Sequence, residues 1–515
     1  MVALALLCAC ATRPPAQPRL VDLVVLITVD QLRPDYLDRF SAQLTGGLGR
    51  IRRESVFFPN GLQDHLVTAT APGHATLLSG REGAHTGIVT NRLGVPDSTS
   101  PLVGGNGAGA SPKRFRGTAL LDWLRAGDPD TRVLSVSRKD RGAILPVGRG
   151  RGDVYWFVRG GFTTSRYYAD ALPDWVEEWN RALQLSRFAG WRWDLLLGAD
   201  AYPEPDDEPY ENGGRDRLFP HSLPSDVEGV RKQIGAVPIM DSLTLAFALR
   251  GVDQLQLGRR GHTDLLAVSL STTDAIGAAF GPDSREIHDH ILRLDRYLGA
   301  FLDSLSRRVS AQRIALVLTA DHGIGSFPER LSRQGQTAGR VDLQPLVART
   351  DSQLAARCGE SFQLRFDNGL LTAEVARLGG RGISVDSLSA AFADAVARHP
   401  AILRVYTPRT LGPAAANDTL AGRIRRSLPT DLGWLAVIVA RPGFLFSGEA
   451  MKGEHGTMNA VDARVPIAFV LPGVPARTIE RRVRTVDIAP TLAAYLGVQP
   501  LELLDGTAIP ETRSH

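Results

Sequence analysis

An α/β architecture built on a central, mostly parallel sheet is what this sequence predicts, and three short runs predict it. Leu23–Val29 (LVVLITV), Leu265–Leu270 (LLAVSL) and Ile314–Leu318 (IALVL) are apolar and largely β-branched. Runs of that length and character read as strands buried on both faces. Each run then delivers an aspartate. Asp30 follows at once, Asp274 comes after Ser271-Thr272-Thr273, and Asp321 comes after Thr319-Ala320 with His322 next. In open α/β sheets, ligands sit at the carboxyl ends of the strands. One sheet edge should therefore gather three carboxylates and a histidine, the donor types of a two-metal hydrolytic centre.

The bulk composition fits one large catalytic unit. The chain has 515 residues, 43% hydrophobic and 22% charged, with a net charge of +4. That is ordinary globular composition. The small net charge gives no case for a nucleic-acid partner, and Arg481, Arg482 and Arg484 read as solvated surface. Residues 1–20 read as a signal and tether: Met1–Leu7 is apolar, Leu7-Cys8-Ala9-Cys10 follows, and Ala11–Leu20 is polar and Pro-bearing. This pattern predicts export to the periplasm or cell envelope, with a lipid on Cys10 as a membrane attachment; a frayed apolar terminus is the alternative. If Cys8 and Cys10 are so consumed, Cys358 alone remains, which excludes an intrachain disulfide and a thiolate zinc site.

Along the chain, 21–515 reads as the catalytic domain. The Leu23 strand leads to a helix expected over Pro34–Phe40, and Val133–Val136 reads as another strand. Residues 148–235 then become rich in aromatics, Pro, Gly and Asp with weak periodicity, the character of a cap insertion. Regular patterning returns with a helix expected near Ser242–Leu249, the Leu265 strand, a long helix over Ser284–Ser306 and the Ile314 strand. A second insertion is expected over 327–445, with strand patterns at Phe362–Phe366 and Leu370–Val375 and a helix at Val385–Arg398. A strand at Val465–Leu471 and a helix at Ile488–Leu496 close the domain.

Four motifs carry chemistry. In Thr70-Ala71-Pro72-Gly73-His74, Pro72 suits the first turn of a helix, which puts the Thr70 hydroxyl where backbone amides favour an anion. Thr70 then reads as a nucleophile awaiting a metal, or simply as an N-cap. Asp321-His322-Gly323 ends a strand and suits one metal or a bridge between two. Glu454-His455-Gly456 places a histidine in a Gly-rich loop, as a ligand or as surface. Ser137–Gly142 (SRKDRG) follows the Val133 strand, where its cations would clamp phosphoryl oxygens or form a solvated turn.

The order of these pieces resembles the alkaline phosphatase superfamily. Within it, the match is to the phosphodiesterase/nucleotide pyrophosphatase-like branch and best to its bacterial phosphate-irrepressible alkaline phosphatases. The resemblance runs from Val24 to about Gly506. It rests on Val29–Arg33 (VDQLR), Thr70–Gly80 (TAPGHATLLSG), Gly87–Asn91 (GIVTN), Lys139–Pro146 (KDRGAILP), Phe280-Gly281-Pro282, Thr319–Gly323 (TADHG), His455-Gly456 and Thr485–Pro490 (TVDIAP). It implies an alkaline-phosphatase-like sandwich: a central mostly parallel sheet flanked by helices, plus cap insertions. It also implies two zinc ions. Asp30, Thr70, Asp321 and His322 match the ligands of one, with Thr70 forming a covalent phospho-threonine. Asp274 and His455 match ligands of the other, which would activate the water. Asn91 matches the amide that holds a phosphoryl oxygen, and Lys139 and Arg141 match the cations that mark monoesterases.

One departure stands out. The family pattern Asp-x-x-Gly-His here reads Asp274-Ala275-Ile276-Gly277-Ala278, so a zinc-ligand position holds alanine. Catalytic zinc sites keep three protein ligands. His221, His288 and His290 are the candidates to complete the set. The expected activity is metal-dependent hydrolysis of a phosphorylated small molecule, a phosphate monoester. Two other readings accompany it: a phosphodiesterase or nucleotide pyrophosphatase, and a catalytically impaired single-metal relative that binds a phosphorylated ligand.

Overall fold

The computed structural model describes residues 20–105 and 107–513. Residues 1–19, with Cys10, lie outside them, so the expected signal and lipid attachment do too. The main-sheet strands are β1 (Leu23–Val29), β2 (Val56–Leu62), β3 (Val133–Ser137), β4 (Asp153–Val158), β5 (Gly161–Thr163), β6 (Asp264–Leu270) and β7 (Ile314–Thr319). A second excursion supplies β8 (Arg365–Asp367), β9 (Leu370–Thr372), β10 (Ile402–Tyr406) and β11 (Trp434–Ala440). The main sheet is completed by β12 (Arg464–Val470), β13 (Arg477–Thr478) and β14 (Val483–Arg484). It has ten strands in the order β13-β2-β12-β7-β1-β6-β3-β4-β5, with β14 also on β2. The centre, β7-β1-β6-β3-β4, is parallel, and β12 runs antiparallel to both β7 and β2.

The three apolar runs lie side by side at the middle of this sheet, with Val29 opposite Leu270 and Thr28 opposite Thr319. Their continuous hydrophobicity has a direct cause: both faces are covered. Leu23, Val25, Ile27 and Val29 enter one core, while Val24 and Leu26 enter the other. The first core is closed by the helix Arg285–Ser306, which presents Ile287, Ile291, Leu294, Leu298, Phe301 and Leu305 as one buried stripe. Ser284 caps its start, accepting from the Ile287 amide at 3.1 Å. Across the sheet, Ala71, Ala75 and Leu77 of the helix Thr70–Leu77 pack with Leu120, Leu121 and Leu492.

Two details differ from the sequence reading. Strands β4 and β5 fall inside the expected cap at 148–235 but belong to the main sheet, joined by a turn at Arg159-Gly160 with positive φ at both residues. Only after Thr163 does the chain leave the sheet. Its aromatics then pack on the long helix: Trp193 Nε1–H and Tyr202 O–H donate to the two carboxylate oxygens of buried Asp289, at 2.6 and 2.7 Å. Secondly, a helix, Thr272–Phe280, directly follows β6 and carries Asp274 in its first turn. The excursion after β7 forms its own four-stranded antiparallel sheet, β8-β9-β11-β10, with its own core and the helices Gln344–Cys358 and Val385–Ala397.

The closing stripe of the long helix should dominate stability. Ile291→Ala, at a fully buried position, should cost about 2–5 kcal/mol, read as a lower denaturant midpoint with unchanged m-value.

Candidate metal and phosphoryl-transfer site

Strand order builds the site. Strands β7, β1 and β6 end together, so Asp30, Asp321 and the helix bearing Asp274 meet at one edge. Asp30 is locked in place when its amide donates to the Leu270 carbonyl at 2.8 Å. The next residue, Gln31, takes a left-handed conformation (φ 68°) and faces inward. Its amide N–H donates to Asp321 Oδ1 at 3.1 Å, and its side-chain Nε2 donates to Asp274 Oδ1 at 2.7 Å. One residue thus ties two of the carboxylates together. Gly277 makes room for it, because a Cβ there would fall on Gln31 Oε1.

Thr70 is the first residue of its helix, and Ala69 occupies the N-cap position without any side-chain cap. The Thr70 hydroxyl is therefore free of capping duty. Fully buried, it lies 3.5 Å from His322 Nε2 and accepts from Lys139 Nζ at 3.3 Å. Gly73, one turn into the helix, touches the end of β7. A Cβ on it would overlap the carbonyl oxygen and Cβ of Asp321. That contact sets the distance between Thr70 and the carboxylates.

Both histidines at the edge present Nε2 inward for the same reason. His322 Nδ1 is 3.0 Å from the Gly323 carbonyl, and His455 Nδ1 is 2.9 Å from the Thr68 carbonyl. A carbonyl can only accept, so each Nδ1 carries a proton and each Nε2 is the nitrogen turned toward a metal. The rings stack at 3.6 Å between centroids. His322 Nε2 is 3.3 Å from Asp30 Oδ1, and His455 Nε2 is 3.5 Å from Asp274 Oδ1.

Two groups of three donor atoms could hold a metal ion here: Asp30, Asp321 and His322, and Asp274, His322 and His455. The electrostatics suit cations. Burial pushes Asp321 upward, but the facing charge of His322 and a hydrogen bond from His74 hold it well below the carboxylate range. Asp30 is raised by burial and by Asp321, yet Lys139 and His322 more than reverse this. Asp274 is raised by burial and lowered further by Lys139. Burial lowers His322, but the surrounding aspartates bring it up to about 9, so a metal must displace its proton. His455, lowered to about 4 by burial and then by His322, is already neutral.

The structure brings Asp30, Thr70, Lys139, Asp274, Asp321, His322 and His455 together. Asn91 borders them: its Oδ1 accepts from the Ala71 amide at 2.8 Å, which fixes the orientation of its NH2. Arg141 sits in the first turn of the short helix Asp140–Ile144 after β3, with its guanidinium 3.5 Å from Asp140. His221, His288 and His290 complete no ligand set. His221 pairs with Glu286 at 3.0 Å, His288 with Glu204 at 2.8 Å and Gln43 at 2.6 Å, and His290 with Thr273 at 3.0 Å. Three supporting residues carried no strong signal in the sequence. They are Gln31; His74, 3.2 Å from Asp321 and 2.9 Å from Ser269 Oγ; and Asp241, whose Oδ1 accepts from the Thr272 amide and hydroxyl at the start of the Asp274 helix.

A buried anion-and-imidazole cluster beside a helix-terminal hydroxyl defines a hydrolytic phosphoryl-transfer site. The chain belongs to the type I phosphodiesterase / nucleotide pyrophosphatase family, whose model matches residues 24–457. It is 31% identical to alkaline phosphatase PhoV of Synechococcus elongatus over 93% of this chain and 90% of that protein. It is 28% identical to alkaline phosphatase PafA of Elizabethkingia meningoseptica over 95% and 94%. The crystal structure of PafA superposes with a TM-score of 0.88 at 26% identity, covering 96% of this chain and 99% of that one. A second PafA structure carries substitutions at a threonine, an asparagine and a Lys-x-Arg pair, the residue types found here at Thr70, Asn91, Lys139 and Arg141.

The Gly73 contact is directly testable. Gly73→Ala should displace Thr70 from Asp321 and lower hydrolytic rate by about a hundredfold, with the far-ultraviolet circular dichroism unchanged.

Proposed function

We propose that the chain is a metal-dependent phosphate monoester hydrolase of the alkaline phosphatase type, acting through a covalent phospho-threonine at Thr70. The observation that carries this is the buried, uncapped Thr70 hydroxyl set between Lys139 Nζ and His322 Nε2, next to Asp30 and Asp321. Asp30, Asp321 and His322, with Thr70, fit a tetrahedral zinc site: two carboxylate oxygens, one imidazole nitrogen whose far nitrogen is pinned, and a hydroxyl oxygen. When bound there, zinc supplies positive charge that lowers the pKa of the Thr70 hydroxyl.

The chain's own residues then divide the work. Lys139 donates to Thr70 Oγ1 and favours its alkoxide. The helix N-terminus and the Asn91 amide hold the phosphoryl oxygens. Arg141 reaches the terminal oxygens that only a monoester leaves unsubstituted. Thr70 Oγ gives up its proton to solvent and attacks phosphorus, forming the O–P bond as the bond to the leaving oxygen breaks. That oxygen departs with the electron pair and takes a proton from water. A second water cleaves the phospho-threonine, releasing inorganic phosphate and restoring the hydroxyl.

Thr70→Ala should reduce release of phosphate from an aryl phosphate monoester by at least about a thousandfold while metal content and thermal melting are retained. Full turnover in that variant would refute the nucleophile. Arg141→Ala should lower kcat/KM for the monoester far more than for the matching diester. Equal losses would favour the phosphodiesterase reading.

A further inference from the structure

The donors at this edge are unevenly divided. Asp30, Asp321 and His322 form a full set with Thr70 at its border. The other set is Asp274 and His455, and it reaches three only by including His322, which the first set already uses. With both filled, the second would keep two protein ligands where catalytic zinc sites keep three. Ala278 lies one turn after Asp274 in the helix Thr272–Phe280, on the face that a second ligand needs, and offers only a methyl group. The histidines able to replace it are tied to Glu286, Glu204 and Thr273.

A different cation already serves Asp274. The Lys139 ammonium, 7% exposed, contacts Asp30 Oδ2, sits 2.6 Å from Asp274 Oδ2 and donates to Thr70 Oγ1 at 3.3 Å. An ammonium has three donors, and these three contacts use them. Gln31 Nε2 takes the remaining oxygen of Asp274 at 2.7 Å. Both oxygens of this carboxylate are thus satisfied by the chain itself. An ammonium is a compact point charge that needs no three-ligand set.

We propose that Lys139 replaces the second metal ion: the protein holds one divalent ion, at Asp30, Asp321 and His322, and the Lys139 ammonium neutralises Asp274 as the resident second cation. This rests on the reading of these residues as metal ligands. It adds to Lys139 a role distinct from contacting substrate.

Metal stoichiometry tests it without turnover. The full-length protein is loaded with excess zinc, desalted, and measured by elemental analysis and native mass spectrometry. Wild type should hold one zinc per chain. Ala278→His, at a partly exposed position, should stay at one, because Lys139 still occupies Asp274; combined with Lys139→Met it should hold two. Lys139→Met alone should also stay at one, because Asp274 and His455 still lack a third ligand; Lys139→Gln replaces Lys139→Met in the pair if the double variant is unfolded by circular dichroism. Two zincs in wild type would overturn the proposal. So would a second zinc in Ala278→His with Lys139 intact, or a folded Lys139→Met/Ala278→His double variant that stays at one. Absence of monoester hydrolysis with one zinc bound would refute the functional reading and leave this inference standing.

Discussion

Three carboxylates converge at one sheet edge, and every other feature of the site answers to their charge. Asp30 and Asp321 are fully buried, and Asp274 is close behind. A buried ion left without a partner costs several kcal/mol. The chain meets this with the Lys139 ammonium, the His322 imidazole, a hydrogen bond from His74 and two donors from Gln31. The result is that all three carboxylates lie below their ordinary range despite burial. They are therefore ionised at neutral pH, the state in which a carboxylate ligates metal.

Position follows from close packing as much as from charge. Parallel β7, β1 and β6 bring their ends level, and the Thr70 helix is pressed against β7 where Gly73 has no side chain. His74 extends that packing into the polar layer. Its ring spans from Asp321 to Ser269 on β6, so the helix and the ends of the two strands that flank β1 are joined at one imidazole. Asp241 does the same for the helix of Asp274. The Thr70 hydroxyl and the carboxylates are thus fixed by elements far apart in sequence, the kind of preorganisation that the proposed attack by Thr70 would demand.

Half of the ten-stranded sheet, β1, β3, β6, β7 and β12, was legible because covered strands need unbroken apolar runs, whereas β2 is interrupted by Pro59-Asn60-Gly61 and β13 and β14 are two residues each. The strand-end aspartates were legible for the same reason: they lie at fixed short distances past those runs. The helix Thr272–Phe280 was not, since Gly277, Ala278 and Ala279 give it almost no amphipathic stripe. Strands β4 and β5 were hidden by their Gly and aromatic content, which resembles an excursion as readily as an edge hairpin. Gln31 and His74 escaped because their importance is relational. Nothing in a glutamine after an aspartate announces that it bridges two carboxylates, and only the folded chain brings Asp274 to it.

The charge count at the edge links Ala278 to substrate choice. On the one-ion proposal, three carboxylates, the Lys139 ammonium and one divalent ion would sum to zero, with His322 and His455 neutral as ligand and neighbour. A second divalent ion would leave the edge doubly positive. A phosphate monoester dianion approaching a neutral edge gains less from the metal centre as a whole, so more of its attraction must come from groups outside the count. Arg141, in the helix Asp140–Ile144 after β3 and 3.5 Å from Asp140, is the cation proposed for that, and the Asn91 amide and the start of the Thr70 helix would add neutral donors. The proposed loss of one metal would therefore shift the burden of recognising the dianion from the ions toward Arg141, and make that guanidinium the group on which preference for monoesters turns.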